Sequence, residues 1–198
     1  FKQKTAYEIG VRLVGSEMCI RDRISKAKQL KIGFNKQLDY EIGPMITNKS
    51  KERVLGLIKK TIENGGKLQY GGKSPEDLSQ GNWIQPTVIS GVTDKMSIFH
   101  EEIFGPVASL ISFKTEDEVI KSANNTKYGL ASYLFTNNKE RINRFINELG
   151  FGEVQINGIK YDIYLPHGGI KESGVGHDCS ELALDDYLIK KRITITKQ

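Results

Sequence analysis

Between residues 107 and 157 short apolar runs alternate with amphipathic ones, and this order constrains the chain more than any other feature in it. Ala108 to Phe113 reads as a buried strand. Thr115-x-x-Glu118 is a capping-box signature, so a helix is expected to begin there with Val119, Ile120 and Ala123 facing inward. Leu130 to Thr136 reads as the next strand. Asn138 to Leu149 carries Ile142, Phe145, Ile146 and Leu149 at the spacing of a helical stripe, and Gly150 and Gly152 end it. Glu153 to Asn157 is strand again. A β-α-β-α-β order predicts an α/β protein with a parallel sheet and right-handed crossover helices. Ligand contacts in such folds gather in loops at the mouths of strands.

The flanking segments are more irregular. Residues 24 to 32 read as the last turns of a helix closed by Gly33. Phe34 to Pro44 reads as loop. Lys49 to Asn64 is a second amphipathic helix, with Val54, Leu57, Ile58 and Ile62 on one face and Gly65-Gly66 as its stop. A short strand is expected at Leu68 to Tyr70, then a polar turn region from Gly71 to Gly81. Trp83 to Ile89 is extended, and Pro86 predicts an edge or irregular strand there. Near the end, Ile189, Ile193 and Ile195 alternate with Lys190, Arg192 and Thr194, the period of a half-buried strand over Asp186 to Thr196. Such a strand either closes the local sheet or seeks a partner for its edge.

Several function classes are disfavoured. The net charge of +5 is scattered rather than gathered on an aromatic-rich face, so nucleic acid is not an expected partner. No run approaches the ~18 apolar residues of a membrane helix, and none reads as a signal peptide. The two cysteines are far apart and give neither a disulfide framework nor a metal-ligand spacing, so no metal is expected. A reducing, cytoplasmic setting is the default.

One loop stands out. In His100-Glu101-Glu102-Ile103-Phe104-Gly105-Pro106, two adjacent carboxylates run into an aromatic and a Gly-Pro break, immediately ahead of the first strand. Taken alone, this is either a solvated acidic turn or a ligand contact. The stretch HEEIFGPVASLISF resembles the EEIFGP motif of the aldehyde dehydrogenase superfamily. Asn124 to Leu130 is similar to its N-x-x-x-Y-G-L segment, and Pro166 to Gly174 to its P-F-G-G-x-K-x-S-G segment. Glu41 to Pro44 and Trp83 to Val88 fit as well, in the same order. The resemblance runs from Ile24 to Ile195 and corresponds to the C-terminal portion of a full-length enzyme.

The resemblance implies residues 24–185 as part of an aldehyde dehydrogenase catalytic domain and residues 186–198 as a strand that joins an oligomerisation sheet, in a homodimer or homotetramer. It implies NAD or NADP as cofactor and a small aldehyde as substrate, oxidised to the carboxylic acid. Glu102 would accept hydrogen bonds from the nicotinamide-ribose hydroxyls, a task that suits an acceptor-only carboxylate. Phe104 would wall the nicotinamide ring, and Glu101 would be structural. His167 departs from the family, which has Phe or Tyr there against the aldehyde. Either it gives a polar contact suited to a hydroxylated or carboxylated aldehyde (lactaldehyde, glycolaldehyde or a semialdehyde), or it is a loop histidine satisfied by backbone. Leu149 to Glu153 also resembles lactaldehyde dehydrogenases.

Other residues tempt less. Residues 1–23 match no part of the family and read as a foreign, artefactual segment. Cys19 lacks the G-Q-x-C setting of the family's nucleophile, and Cys179 reads as a small core or surface thiol. Gly168, Gly169, Gly174 and Gly176 suit tight turns rather than a phosphate cradle. Asn157 either braces a catalytic loop or simply makes a turn. By this reading the nucleophilic Cys, the general base and the oxyanion Asn belong upstream, no catalytic residue lies in the chain, and the 198 residues alone do not turn over. The alternative is a non-catalytic, truncated oligomerisation module.

Overall fold

The computed structural model describes residues 14–34, 40–78 and 80–197. The side chain of Cys19 lies outside the described residues, and with it the reading placed on that thiol. The chain forms two compact units divided between Thr115 and Glu116.

In the first unit, helix α1 spans Val14–Gln29 and so crosses the boundary expected at residue 23. Helix α2 spans Asn48–Glu63, with Thr47 as its N-cap accepting from the Ser50 N–H. Its inward face holds Val54, Leu57 and Ile58 as expected, each burial worth roughly 1.5–3 kcal/mol. Ile62 departs from expectation and stays 38% exposed. Thr61 is buried instead, because its Oγ1 donates to the Leu57 carbonyl at 2.7 Å and so carries no unpaired hydroxyl inward.

Strands β1 (Lys67–Tyr70), β2 (Thr87–Ser90) and β3 (Val107–Leu110) form a sheet in that order. β1 runs antiparallel to β2, and β2 runs parallel to β3. Of the two alternatives that Pro86 left, an edge strand is not found, since β2 is central in this sheet, while residues 82–86 ahead of it are irregular. Proline is tolerated because the ladder begins one residue later, where the missing N–H is not needed. Val88 and Ile89 join α2 residues, Val92, Met96 and Ile98 in the core. The four-residue helix α3 (Ser97–His100) leads into the acidic loop.

The second unit holds helix α4 (Glu116–Asn124), strand β4 (Ala131–Leu134), helix α5 (Lys139–Glu148) and strand β5 (Glu153–Ile156). β4 and β5 pair in parallel with α5 as the crossover between them, as the alternating pattern predicts, whereas β3, the first strand of that pattern, pairs with β2 and not with β4. Asn138 caps α5 by accepting from the Arg141 N–H. Phe145 is buried, whereas Ile146 is 48% exposed, so the stripe on α5 is narrower than its spacing suggests. Arg141 and Arg144 on α5 tie to Glu116 at 2.6 and 3.4 Å, and Arg144 also pairs with Asp117, joining the two helices of this unit. A short 3₁₀ turn, Glu181–Asp186, precedes the tail.

The strand expected over Asp186 to Thr196 does not form in this single chain: residues 188–197 belong to no helix or ladder. Ile189, Ile193 and Ile195 are 97%, 75% and 87% exposed. A strand gains its hydrogen bonds only from a neighbour, and here none of the described residues supplies one.

Candidate functional site

The first candidate element is the acidic loop of the first unit. Pro106 and Gly105 hold its end: the Thr87 N–H donates to the Pro106 carbonyl at 2.8 Å, and Gly105 lies so close to Val54 that an added Cβ would meet Cγ2 at 3.2 Å. Arg53 of α2 holds its middle. Its guanidinium donates to the carbonyls of Glu102 and Ile103 at 3.3 and 2.5 Å. With the backbone anchored from below, the Glu102 side chain is exposed, and no described residue bonds its carboxylate. Phe104 is 76% exposed and sits at φ 44, a left-handed conformation that costs a non-glycine residue about 1–3 kcal/mol and is most often kept where a side chain must be aimed. The loop therefore presents an acceptor-only carboxylate and an aromatic ring, two residues apart, to the outside.

The second candidate element lies in the second unit, where three separate stretches converge. Gly129 is the hub. Its carbonyl accepts from the Gly152 and Ile170 N–H groups at 2.9 and 3.0 Å, and its own N–H donates to Ser173 Oγ at 2.9 Å. Asn124 straps the same place: Nδ2 donates to the Glu148 carbonyl and Oδ1 accepts from the Gly150 N–H. Lys127 pairs with Glu172 at 2.8 Å. So Asn124 to Leu130, Leu149 to Glu153 and Pro166 to Gly174 are one assembly rather than three independent motifs. Gly174 and Gly176 serve tight turns as expected, and close approach at Gly152 is an addition the pattern did not show. A Cβ on Gly152 would strike the Gly168 carbonyl oxygen at 1.8 Å, and Gly174 and Gly176 take φ values of 119 and 96.

His167 projects from this assembly. Its backbone exchanges two hydrogen bonds with Asp178, at 2.8 and 2.7 Å, which fix the position of its Cα. Its ring Nδ1 bonds Oε1 of Glu153, the first residue of β5. The Tyr161 ring lies edge-on with centroids 6.2 Å apart. The ring is thus engaged at Nδ1 by a side-chain carboxylate rather than by backbone as the loop-histidine alternative had it, and it stays part-exposed. Asn157, at φ 57, uses its side-chain amide to donate to the Thr136 carbonyl and accept from the Thr136 N–H, both at 2.8 Å, so it braces the end of β4. Cys179 is an exposed free thiol. No cluster of metal-ligating side chains occurs among the described residues.

Two residues of these elements escape a reading of local pattern. Arg53 lies beside the inward-facing Val54 on α2 and shows no sign of a partner some 50 positions away. Glu153 does leave a trace, since it and Gln155 make one side of β5 polar, and Gln155 Nε2 donates to Glu153 Oε2 at 3.2 Å.

Parallel strands, a crossover helix and exposed polar loops leading into or out of strand ends define an α/β protein of the kind that carries ligand contacts at strand mouths. The family within that class is shown by comparison. A model of the aldehyde dehydrogenase family matches residues 16–193, and the chain belongs to that family. A protein of Staphylococcus aureus (strain USA300) named "Putative aldehyde dehydrogenase" is 38% identical over 166 residues, which is 83% of this chain and 35% of that one. Among solved structures, an NAD+ complex of betaine aldehyde dehydrogenase from Staphylococcus aureus superposes with a TM-score of 0.84 at 32% identity, covering 90% of this chain and 36% of that one. A mutant aldehyde dehydrogenase from Bacillus cereus gives 0.82 at 36% identity, covering 89% and 36%. The chain therefore spans little more than a third of the length of the relatives it matches.

Proposed function

We propose that this chain is the C-terminal portion of an NAD(P)-dependent aldehyde dehydrogenase that oxidises a small polar aldehyde to the carboxylic acid. The observation that carries the reading is the acidic loop. Glu102 is left with an unengaged acceptor carboxylate while Arg53 anchors its carbonyl, and Phe104 is held outward beside it. A ribose diol offers two donors to such a carboxylate, and a planar ring offers a wall to a nicotinamide. The chemistry supplied by the bound dinucleotide is hydride acceptance. Glu102 would hold its sugar and Phe104 would set its ring, so the residues present fit the cofactor. The NAD+ in a neighbour of 32% identity supports NAD over NADP.

His167 takes the position of the aromatic residue that lines the aldehyde pocket in the resembled family, and its polar ring supports a hydroxylated or carboxylated substrate such as lactaldehyde, glycolaldehyde or a semialdehyde. The tail's alternating isoleucines support a strand contributed to a neighbouring subunit in a homodimer or homotetramer. Of residues 1–23, expected to be foreign to the enzyme, the family match already takes in 16–23, so the proposal keeps only residues 1–15 as a foreign segment. The nucleophile and general base lie upstream, and the 198-residue chain does not turn over by itself. Three experiments test this. In the intact dehydrogenase, Glu102→Gln should raise the KM for NAD or lower kcat by about tenfold or more, since the cofactor is no longer held in register; kinetics like those of the wild type would refute the assignment. The purified 198-residue chain should not reduce NAD with lactaldehyde, and turnover lost on Cys19→Ala would overturn its inactivity. DNA read upstream of Ile24 should carry an in-frame G-Q-x-C segment, whereas a start codon there would favour a truncated oligomerisation module.

A further inference from the structure

We infer that Glu153 is a positioning residue that fixes the tautomer of His167, and that the pair selects hydroxylated aldehydes over carboxylated ones. This rests on the reading of the chain as part of an aldehyde dehydrogenase. A carboxylate only accepts hydrogen bonds, so the nitrogen facing it carries the proton, and His167 is assigned the Nδ1–H form from its bond to Glu153 Oε1. The Glu153 side chain is only 14% exposed, and its second oxygen is occupied by Gln155 Nε2 at 3.2 Å. Gln155 is held in turn by Lys160, whose N–H donates to its Oε1 and whose carbonyl accepts from its Nε2. With the backbone pinned to Asp178, the ring has one position and one tautomer.

What remains is Nε2, which no described residue bonds. In the neutral ring it is a lone pair, an acceptor. An aldehyde with a hydroxyl group can donate to it. A carboxylated aldehyde has no proton to give, and it brings a negative charge towards the Glu153 carboxylate behind the ring. A site built to hydrogen-bond a hydroxyl discriminates strongly against the analogue that lacks it. Among the substrates that a polar ring admits, the pair therefore chooses lactaldehyde and glycolaldehyde over a semialdehyde.

Two measurements test this. In the 198-residue chain, with nitrogen-15 in its three histidines and His167 assigned through His167→Phe, the imidazole shifts at pH 8 should report Nδ1–H. Glu153→Ala should move His167 to Nε2–H. Nε2–H in the wild type would overturn the inference whatever the enzyme does. In the intact dehydrogenase, kcat/KM for lactaldehyde should exceed that for propionaldehyde by about tenfold or more, and Glu153→Ala should bring the ratio within about twofold. Glu153→Gln keeps an acceptor oxygen without the charge, so the hydroxyl preference should return while succinic semialdehyde improves. A structural role alone would lower both aldehydes together and leave the ratio, which overturns the inference. Turnover with no hydroxyl preference, or a preference for succinic semialdehyde or betaine aldehyde in the wild type, overturns it alone. Absence of turnover on every aldehyde overturns it together with the dehydrogenase reading.

Discussion

Replacing Gly152 with alanine should pry apart the assembly that carries His167. The Cβ would sit 1.8 Å from the Gly168 carbonyl oxygen and 3.2 Å from the Gly169 Cα. Real Cβ contacts do not fall below 3.0 Å, so the two backbones must separate by about 1.2 Å. No flexible side chain can swing away, because the obstacles are main-chain atoms. Separation stretches the bond from the Gly152 N–H to the Gly129 carbonyl, now 2.9 Å, and loosens the bond from Ile170 to that same oxygen. Overpacking against backbone costs about 1–3 kcal/mol, and weakening one hydrogen bond adds about 1 kcal/mol. A total near 3 kcal/mol lowers a urea midpoint by about 1–2 M. Gly158, only six positions on, is the control: an alanine there meets nothing within 4 Å. Urea unfolding of Gly152→Ala, Gly158→Ala and the wild type should show a large drop only for the first. Midpoints of both variants within about 0.3 M of the wild type would refute the close-approach argument.

Gly56 lies exposed inside α2 with open space where a Cβ would go, so Gly56→Ala should stabilise the first unit by about 0.5–1 kcal/mol in urea unfolding. Removing the Arg53 clamp by Arg53→Ala should raise amide exchange at Glu102 to Gly105 by about tenfold while α2 keeps its protection, and unchanged exchange would refute the clamp. The Asp162 carboxyl lies below the ordinary carboxylate range, first because it accepts the Tyr164 N–H and then because of Lys160 at 3.2 Å. Its contribution to stability is thus fully present above the unfolded value of about 3.9 and is lost as pH falls through the lower folded value. A carboxyl carbon titration by NMR should place its midpoint below 3.9, and a midpoint at or above that value would contradict the geometry.

Local pattern revealed what local physics decides. The capping signature at Thr115 starts α4 at Glu116, and Asn138 caps α5. Val54, Leu57 and Ile58 face the core as their spacing demands. Position 61 was not legible, because a threonine is buried there through a bond to its own helix, which a count of apolar residues does not see. Of the two readings Pro86 allowed, the edge fails and the irregular stretch holds, because proline restricts only the residue that would donate and the ladder begins at the next one. The candidate site was legible as a set of residues and not as a set of contacts. Glu102, Phe104 and His167 stand out as types in a pattern, but their supports, Arg53 and Glu153, lie 49 and 14 positions away. Such pairings arise from the packing of elements, which spacing along a chain does not encode. The isoleucines of the tail carry the period of a strand and still form none, since that period describes a surface awaiting a partner.

The Asn157 amide acts as one more rung on the β4–β5 ladder, made by a side chain. That rung is chemically perishable. It precedes Gly158, whose lack of a side chain leaves the amide open to attack by the following backbone nitrogen. That attack expels ammonia and closes a cyclic imide, which water opens to aspartate or isoaspartate. In the aspartate an oxygen replaces the nitrogen that now faces the Thr136 carbonyl, setting two lone pairs against each other. With storage, the end of this sheet would come undone one atom at a time, and a mass increase of about 1 Da, expected for an amide becoming an acid, would mark the molecules in which it had.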